Sequence, residues 1–196
     1  MLSRLHKKVD VAVVVPEQSH ATLGRGVHQA KEGIDFKVVE TTESRAWWQK
    51  PRLTSLKSIL LSEQPQAVVF VWPYVLQLIF EPRLLLLIRR KGIKLIYKDI
   101  PFNIPKFDEA IHFYQYEIRN EDNTKVQKGF FWKLYYLVFR QILKRYLQLM
   151  DAHVYYTEEA HEIIPSYGVD PSSIFIIYNS PDTDRLFKIK ERSQLL

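Results

Sequence analysis

The chain of 196 residues contains no cysteine, two methionines and six glycines. Without cysteine there is no disulfide and no thiolate metal site, which is consistent with a reducing compartment. No stretch approaches the roughly 18 uninterrupted apolar residues of a membrane-spanning helix. The apolar run at residues 11–15 is also too short for the core of a signal peptide. What remains is an ordinary globular composition, 46% hydrophobic and 26% charged, at a length that fits one domain.

Acidic residues are missing from two long segments, although the net charge of the whole chain is only +6. Six bases and no acid lie between Glu81 and Asp99, and the same holds between Asp122 and Asp151. Charge of one sign indicates an anionic partner, which could be a membrane, a nucleic acid or a phosphorylated substrate. A solvated surface is the alternative, and residues 89–91 would also suit the carboxyl end of a helix before Gly92.

Short apolar runs alternate with helical segments along the chain. Strands are predicted at residues 9–15, 36–40, 67–71, 93–97, 153–156 and 174–178. Helices are predicted at residues 27–32, 54–64, 74–80, 82–91, 130–150 and 157–164, and residues 41–53 are predicted to form a loop. This order predicts an α/β fold, an open Rossmann-like parallel sheet with helices on both faces. Its binding loops should lie at the carboxyl ends of the strands.

Residues 151–187 carry the most specific pattern. They comprise Asp151-Ala152 before a strand, Thr157 and two acids, Tyr167-Gly168-Val169, a strand at residues 173–177, and Asn179-Ser180-Pro181-Asp182. This order resembles the end of the N-terminal domain of retaining GT-B glycosyltransferases of the family 4 type. That family has a glycine where this chain has Ser180.

The resemblance implies a GT-B N-terminal, acceptor-side domain at residues 1–187, with residues 188–196 beginning a linker or tail. The donor-binding domain would follow and is absent from this sequence, so the chain alone is expected to be inactive. The implied partners are a nucleotide-sugar donor, held mainly by the missing domain, and a glycan or lipid-linked acceptor. No cofactor is expected. The implied location is the cytoplasm, at the inner face of the membrane.

Gly24, Arg25 and Gly26 follow the first predicted strand. Two glycines around one residue let backbone N–H groups approach a phosphate, and a following helix would offer its positive end. A plain tight turn has the same composition, and the chain lacks the third glycine of a dinucleotide fingerprint. The resemblance implies that this loop faces the donor diphosphate.

Lys98 and Asp99 follow the fourth strand, where open α/β sheets bind ligands. The family commonly has a histidine followed by an aspartate here, so Lys98 takes the histidine position and Asp99 matches the aspartate. The resemblance therefore implies a catalytic role for Asp99 and substrate binding by Lys98 and Glu158. Alternatively, Asp99 caps a loop. A protein base is not required, because the departing phosphate can accept the acceptor's proton.

The segment 130–150 predicts a long amphipathic helix with Lys133, Arg140 and Lys144 on one stripe and aromatic residues opposite. Trp and Tyr beside Lys and Arg suit a lipid headgroup interface. The stripe therefore predicts contact with an anionic membrane through these three bases. The alternative is a core-facing helix with a solvated basic side.

Other classes of site find little support in the sequence. The histidines lack metal-ligand spacing, and no zinc signature, P-loop or Ser-His-Asp pattern is present. A nucleic-acid-binding domain is the weakest reading, since no recognition motif accompanies the basic charge. A non-enzymatic Rossmann-like module that binds a membrane surface or a protein is the main alternative to the transferase.

Overall fold

The computed structural model describes residues 8–17, 35–101, 104–113 and 130–178. The strands in these residues are β1 (Ala12–Pro16), β2 (Lys37–Thr41), β3 (Glu43–Arg45), β4 (Pro51–Leu53), β5 (Ala67–Phe70), β6 (Lys94–Lys98), β7 (Ala152–Tyr155) and β8 (Ile174–Ile176). The α-helices are α1 (Leu56–Glu63), α2 (Gln77–Phe80), α3 (Pro82–Arg90), α4 (Ala110–His112), α5 (Phe130–Leu149) and α6 (Ala160–Ile163). Short 3-10 helices occupy Tyr74–Leu76, Ile164–Tyr167 and Pro171–Ser173.

The strands form three sheets. β1 and β2 pair in parallel, β3 and β4 form an antiparallel hairpin, and the remaining strands form a parallel sheet in the order β5-β6-β7-β8. The chain is therefore a mixed α/β protein with a four-stranded parallel sheet flanked by helices, an arrangement compatible with a Rossmann-like fold. It divides into two compact units, Met1–Lys94 and Leu95–Leu196.

In the first unit, the break between α2 and α3 lies where the sequence predicts it. Pro82 occupies the first turn of α3, where the missing N–H costs no hydrogen bond. Leu84 and Ile88, one helical turn apart, are both buried, and Arg89 and Arg90 lie in the last turn, beside the negative end of the helix dipole. The apolar spacing and the proline together account for the position of this helix.

The predicted loop at residues 41–53 is wrong, because its two ends pair as the hairpin β3–β4. The buried amide of Gln77 holds the hairpin: its oxygen accepts from the Leu53 N–H at 2.9 Å and its nitrogen donates to the Leu53 carbonyl at 3.1 Å. These strands are polar and therefore lack the alternation of apolar residues from which a strand is predicted. A distant side chain thus satisfies the backbone N–H and carbonyl of Leu53 at the end of the hairpin.

The second unit contains the predicted strand–helix–strand segment at its carboxyl end. β7 lies between β6 and β8, with Tyr97 level with His153 and His153 level with Ile174. Between β7 and β8 the chain passes through α6, a 3-10 turn and Gly168, whose φ of 79° is left-handed. Phe175 on β8 is 54% exposed, so this strand is not buried on both of its faces, although its sequence is apolar throughout.

Candidate functional site at the carboxyl edge of the second unit

The ends of three neighbouring parallel strands bring together the candidate polar residues of the second unit. Lys98 and Asp99 lie at the end of β6, Glu158 lies beyond β7, and Tyr178 follows β8. Backbone hydrogen bonds continue the sheet past the strands, since the Asp99 N–H donates to the Val154 carbonyl at 3.3 Å. Lys98, Asp99 and Glu158, which the sequence singled out separately, therefore occupy one edge of the sheet.

Asp99 is half-buried, and both of its carboxylate oxygens accept hydrogen bonds. The phenol of Tyr97 donates to Oδ2, and the backbone N–H of Ile100 donates to Oδ1 at 2.8 Å. These contacts fix the carboxylate at the start of the loop that follows β6. Each carboxylate oxygen has more than one lone pair, so a ligand hydroxyl can still donate to it. The geometry therefore accommodates both the capping role and a role in ligand binding.

Glu158 lies on the surface beyond β7 and connects the ends of two strands. The Tyr178 phenol donates a hydrogen bond to Glu158 Oε1, and His161 Nε2 lies 3.8 Å from Glu158 Oε2. Tyr178 has a φ of 36°, a left-handed backbone conformation that residues other than glycine rarely adopt. Hydrogen bonding to the Glu158 carboxylate raises the pKa of the Tyr178 phenol. Carboxylate, phenol and imidazole together offer hydrogen-bond donors and acceptors to a hydroxylated ligand.

Lys98 has an aromatic neighbour at the same edge. Its ammonium nitrogen lies 5.2 Å from the centre of the Tyr156 ring, within the range of a cation–π contact. Both side chains are half-buried. The contact positions the ammonium group beside the strand ends, where it could meet an anionic or hydroxylated group.

A layer of buried aromatic residues supports the edge from within the unit. Tyr97, Tyr146, His153 and Tyr155 are all at most 2% exposed, and the His153 and Tyr155 rings stack with centres 6.2 Å apart. The hydroxyl of Tyr155 and both ring nitrogens of His153 make no hydrogen bond of good geometry. Burial raises the pKa of both Tyr97 and Tyr155, and the nearby Asp99 carboxylate adds to the effect.

His153 is held in its neutral form by the same layer. Burial lowers its pKa to about 4, against a weaker opposite effect of the Leu147 backbone. A histidine that stays neutral through the physiological range is suited to packing rather than to proton exchange near pH 7. We therefore assign His153 to the support of the strand ends.

The predicted basic stripe of α5 is partly covered by other residues in the structure, and its contact with a membrane stays a prediction. Arg140 and Lys144 are half-buried and lie over the Phe107 ring, at 4.4 Å and 5.0 Å from its centre. Arg140 also donates to the Phe107 carbonyl at 3.4 Å. Of the three predicted membrane contacts, only Lys133 is exposed. Helical periodicity predicts that Arg140 and Lys144 lie on the same side of the helix. It does not predict that the loop containing Phe107 packs against that side.

Gly24, Arg25 and Gly26 fall outside the described residues, so their proposed contact with phosphate stays a prediction. Among the described residues, no group of three or more His, Asp or Glu side chains is arranged to hold a metal ion. Within that same part of the chain, no helix has the length and hydropathy to cross a membrane.

Sequence reasoning missed Tyr97 and Tyr178, the two phenols that hold the edge carboxylates. A signal existed for Tyr97, because it lies two residues before Asp99 and side chains two apart in an extended chain point to the same side. Nothing local marked Tyr178, whose partner Glu158 lies 20 residues away. Pairing across neighbouring strands, rather than sequence spacing, produces this contact.

Comparisons with protein-family models, curated proteins and solved structures found no match. A function for this chain is therefore inferred from the residues at the strand ends and from the resemblance of residues 151–187.

Proposed function

We propose that this chain is the acceptor-side domain of a glycosyltransferase that moves a sugar from a nucleotide-sugar donor to a glycan or lipid-linked acceptor. The observation that carries the proposal is the edge formed by Lys98, Asp99, Glu158 and Tyr178 at the ends of three adjacent parallel strands. In open parallel α/β sheets, ligands bind outside the carboxyl ends of the strands. The finer GT-B assignment rests on the order of motifs in residues 151–187.

The chemistry of the edge suits a polyhydroxylated acceptor better than a free phosphate. Two carboxylates, Asp99 and Glu158, accept hydrogen bonds from hydroxyl groups but repel anions. The phenol of Tyr178 and the imidazole of His161 can donate or accept, which matches the mixed character of sugar hydroxyls. Among the described residues of the edge, the ammonium group of Lys98 would be the point at which an anionic acceptor group or the donor phosphate is met.

In the proposed reaction, the acceptor oxygen forms a bond to the anomeric carbon while the bond from that carbon to the diphosphate oxygen breaks. The acceptor proton passes to the departing phosphate, so no protein base is needed. The role of Asp99 is to orient the acceptor hydroxyl, because its own carboxylate is already fixed by Tyr97 and Ile100. Such positioning supplies much of the advantage of an enzyme over free reactants.

The test is acceptor binding by the purified chain, measured by saturation-transfer NMR against a panel of glycans and glycolipid headgroups. Asp99→Asn and Glu158→Gln should each weaken the binding of a glycan that wild type recognises. Glu162→Gln is the matched control, because its side chain is 74% exposed and its carboxylate pairs with Lys106 at 3.3 Å, away from the strand ends. Binding that both edge variants retain in full would remove the edge from the site.

Activity provides the second part of the test. The 196-residue chain alone should show no sugar transfer, and transfer should require a donor-binding domain. In an active assembly, Asp99→Asn should lower kcat. Gly24→Val and Gly26→Val should reduce transfer, because a side chain there would keep the backbone away from a phosphate. Turnover by the purified chain alone would contradict the assignment of this chain as the acceptor half.

The non-enzymatic alternative, a module that binds a membrane or a protein, predicts a different result. It predicts no binding of any glycan at the strand ends and full tolerance of the Asp99 and Glu158 substitutions. The NMR experiment therefore separates the two functions before an assembly with the donor domain is needed.

A further inference from the structure

The tip of the β3–β4 hairpin presents an aromatic ring to solvent. Trp47 is 73% exposed, although tryptophan is among the side chains that gain most from burial. The turn that carries it is ordered by two backbone hydrogen bonds: the Ala46 N–H donates to the Lys50 carbonyl at 3.0 Å, and the Gln49 N–H donates to the Ala46 carbonyl at 2.9 Å. The exposure of Trp47 is therefore a property of a well-formed turn.

Two further rings fix the orientation of Trp47. Trp48 stacks on Phe80 of α2, with ring centres 5.0 Å apart and an angle of 21° between the planes. The Trp47 ring stands nearly perpendicular to both, with its centre 5.7 Å from that of Trp48 and 5.0 Å from that of Phe80. We call these three rings the aromatic platform. Because Trp47 stays mostly exposed, these contacts leave a flat face of its indole open to a ligand.

The aromatic platform is not the arrangement that stability alone would favour. The indole N–H of Trp48 is buried and makes no hydrogen bond, which is unfavourable for folding. The exposed Trp47 ring forgoes the gain of burial, and no other large apolar side chain in residues 42–53 is exposed. Local arrangements that cost stability are expected where they serve a function. The platform therefore indicates a binding site.

Polar and basic side chains accompany Trp47 at the tip. Gln49 Nε2 lies 3.5 Å from the Trp47 carbonyl oxygen, which keeps the exposed amide at the turn. The oxygen of that amide can accept a hydrogen bond from a ligand hydroxyl. Arg45 and Lys50, on either side of the turn, are both exposed, and the sequence contains no acid from residue 44 to residue 62. The tip therefore combines a ring, an amide and two positive charges.

The acids nearest to the hairpin are engaged elsewhere. Glu43 lies at the open end of the hairpin, away from the turn, and accepts a hydrogen bond from the Tyr74 phenol at 3.1 Å. Glu81, which follows the platform ring Phe80, pairs with Arg52 at 3.2 Å. Both carboxylates belong to half-buried residues. The charge that the tip presents to a ligand is therefore positive.

We propose that the hairpin tip binds one ring of an acidic saccharide. The C–H groups of a pyranose carry partial positive charge and would lie on the negative face of the Trp47 indole. The Gln49 amide would exchange hydrogen bonds with sugar hydroxyls, and Arg45 and Lys50 would pair with a carboxylate or phosphate of the sugar. The site consists of residues of the first unit alone. It goes beyond the proposed sugar transfer, since a binding module without catalysis would use it in the same way.

Other ligands fit the hairpin tip less well. Single-stranded nucleic acid stacks successive bases on several rings, whereas Trp47 is the only fully exposed ring of the platform. A lipid surface takes up a broad apolar face, but the exposed side chains beside Trp47 are Arg45, Gln49 and Lys50. A neutral glycan would use the ring and the amide and would leave both bases without a partner. An acidic sugar uses all three kinds of group.

Ligand-detected NMR titration of the full chain tests the proposal with trigalacturonic acid, glucose 6-phosphate and neutral maltotriose. Each exposed ion pair should contribute about fivefold in affinity, so trigalacturonic acid should bind at least about tenfold more tightly than maltotriose. Salt should reduce this preference, as the Debye length falls from about 10 Å at 0.1 M to about 3 Å at 1 M. The tighter of the two acidic ligands identifies the anionic group as carboxylate or phosphate.

Variants of the tip separate the ring from the charges. Trp47→Ala should lower the affinity for trigalacturonic acid at least about tenfold, an effect of the size seen when a stacking ring is removed. Trp47→Phe should lose less, because a planar face remains. Arg45→Gln/Lys50→Gln should remove the preference for the acidic trisaccharide over maltotriose and leave the affinity for maltotriose unchanged. In the wild type, the indole N–H signal of Trp47 should shift during the titration.

Matched controls test whether the losses belong to the hairpin tip. Trp132→Ala removes another exposed tryptophan, 48% exposed on α5, and should leave the affinity unchanged. Lys57→Gln/Lys91→Gln removes two exposed bases elsewhere in the first unit and should also leave it unchanged. The shift of the Trp47 signal should persist in Asp99→Asn, so failure of the strand-end site is distinguishable from failure of this one. Circular dichroism confirms that each variant is folded.

Several results would overturn the proposal. Full binding of trigalacturonic acid by folded Trp47→Ala would show that the ring is not part of a sugar site, and failure of the wild type to bind either acidic ligand would do the same. Equal affinity for trigalacturonic acid and maltotriose would remove the role of the bases. Binding of oligothymidylate without binding of an acidic sugar would identify a nucleic acid as the ligand. Binding only to anionic vesicles would identify a lipid surface.

Discussion

The guanidinium carbon of Arg140 lies 4.4 Å from the centre of the Phe107 ring, so a base from the long helix covers an aromatic residue of a preceding loop. Lys144 covers the same ring, and the ring also meets Tyr167 edge to face at 5.5 Å. The bases of α5 therefore serve two purposes: some hold the unit together, and others remain in solvent.

This arrangement predicts that Phe107→Leu lowers the free energy of unfolding by about 1–2 kcal/mol, since two cation–π contacts and an aromatic edge contact are lost together. Urea denaturation monitored by circular dichroism provides the measurement. Lys133→Gln, on the exposed part of the same helix, should change stability by no more than about 0.5 kcal/mol. Similar losses in both variants would contradict the distinction between the two groups of bases.

Two buried tyrosines should respond oppositely to removal of their hydroxyl groups. Tyr97 donates to Asp99, so Tyr97→Phe should destabilise the fold by about 1–2 kcal/mol through the half-buried carboxylate that loses its donor. Tyr155→Phe should be neutral or stabilising, because its buried hydroxyl has no hydrogen-bond partner. Denaturation of both variants at pH 7 measures the difference. The prediction fails if Tyr155→Phe is the more damaging change.

Stability should fall with acidification because of His153. Its pKa is about 4 in the folded chain and about 6.5 when unfolded, so between these values the unfolded state binds more protons. The contribution is fully present above about pH 6.5 and is lost progressively as the pH falls toward 4, up to roughly 3 kcal/mol. The free energy of unfolding should be measured by urea titration at intervals across this window.

His153→Phe should flatten that part of the profile, because phenylalanine fills a similar volume and does not titrate. His161→Gln is the control: its side chain is 43% exposed, and this substitution should leave the slope attributed to His153 in place. An unaltered slope in the His153 variant would assign the acid sensitivity to carboxylates instead.

The sequence predicted the elements more reliably than the contacts. The apolar runs and the Pro82 break predicted β5, β6, α3 and α5 closely, because burial and proline geometry act locally. The hairpin β3–β4 was missed because a glutamine 24 residues beyond Leu53 completes its hydrogen bonds. The local order of apolar and polar residues reveals a strand that is buried. It does not reveal a polar strand that is stabilised by the amide of a distant residue.

The same division applies to the candidate site. The position of Lys98 and Asp99 after an apolar strand was enough to place them at the carboxyl edge. The meeting of Glu158 with Tyr178 depends on the register of β7 against β8, which single-sequence patterns do not encode. The exposed face of α5 could not be predicted either, because periodicity gives the sides of a helix but not which neighbour covers each side.

Two glycines with positive φ provide a matched pair for a final prediction. A Cβ on Gly168 would lie 2.8 Å from Gln148 Nε2, whereas a Cβ on Gly92 would meet nothing within 4 Å. Gly92→Ala should therefore cost about 1–2 kcal/mol from backbone strain alone, and Gly168→Ala should cost more. Thermal denaturation of both variants gives the comparison. Adding Gln148→Ala should recover part of the extra loss in the Gly168 variant.

The turn at Gly168 also determines how far the Tyr-Gly-Val triplet indicates common ancestry. Tyr167 is buried with its hydroxyl bonded to the Pro105 carbonyl, Gly168 is left-handed, and Val169 is buried, so packing alone demands each residue of the Tyr-Gly-Val triplet. An unrelated protein that connected two parallel strands through the same turn would need the same residue types and could have the same Tyr-Gly-Val sequence. The triplet is therefore expected both in proteins that share an ancestor with this chain and in unrelated proteins that share the turn. The side chains beyond the strand ends are a better criterion of common ancestry, because the turn does not require them.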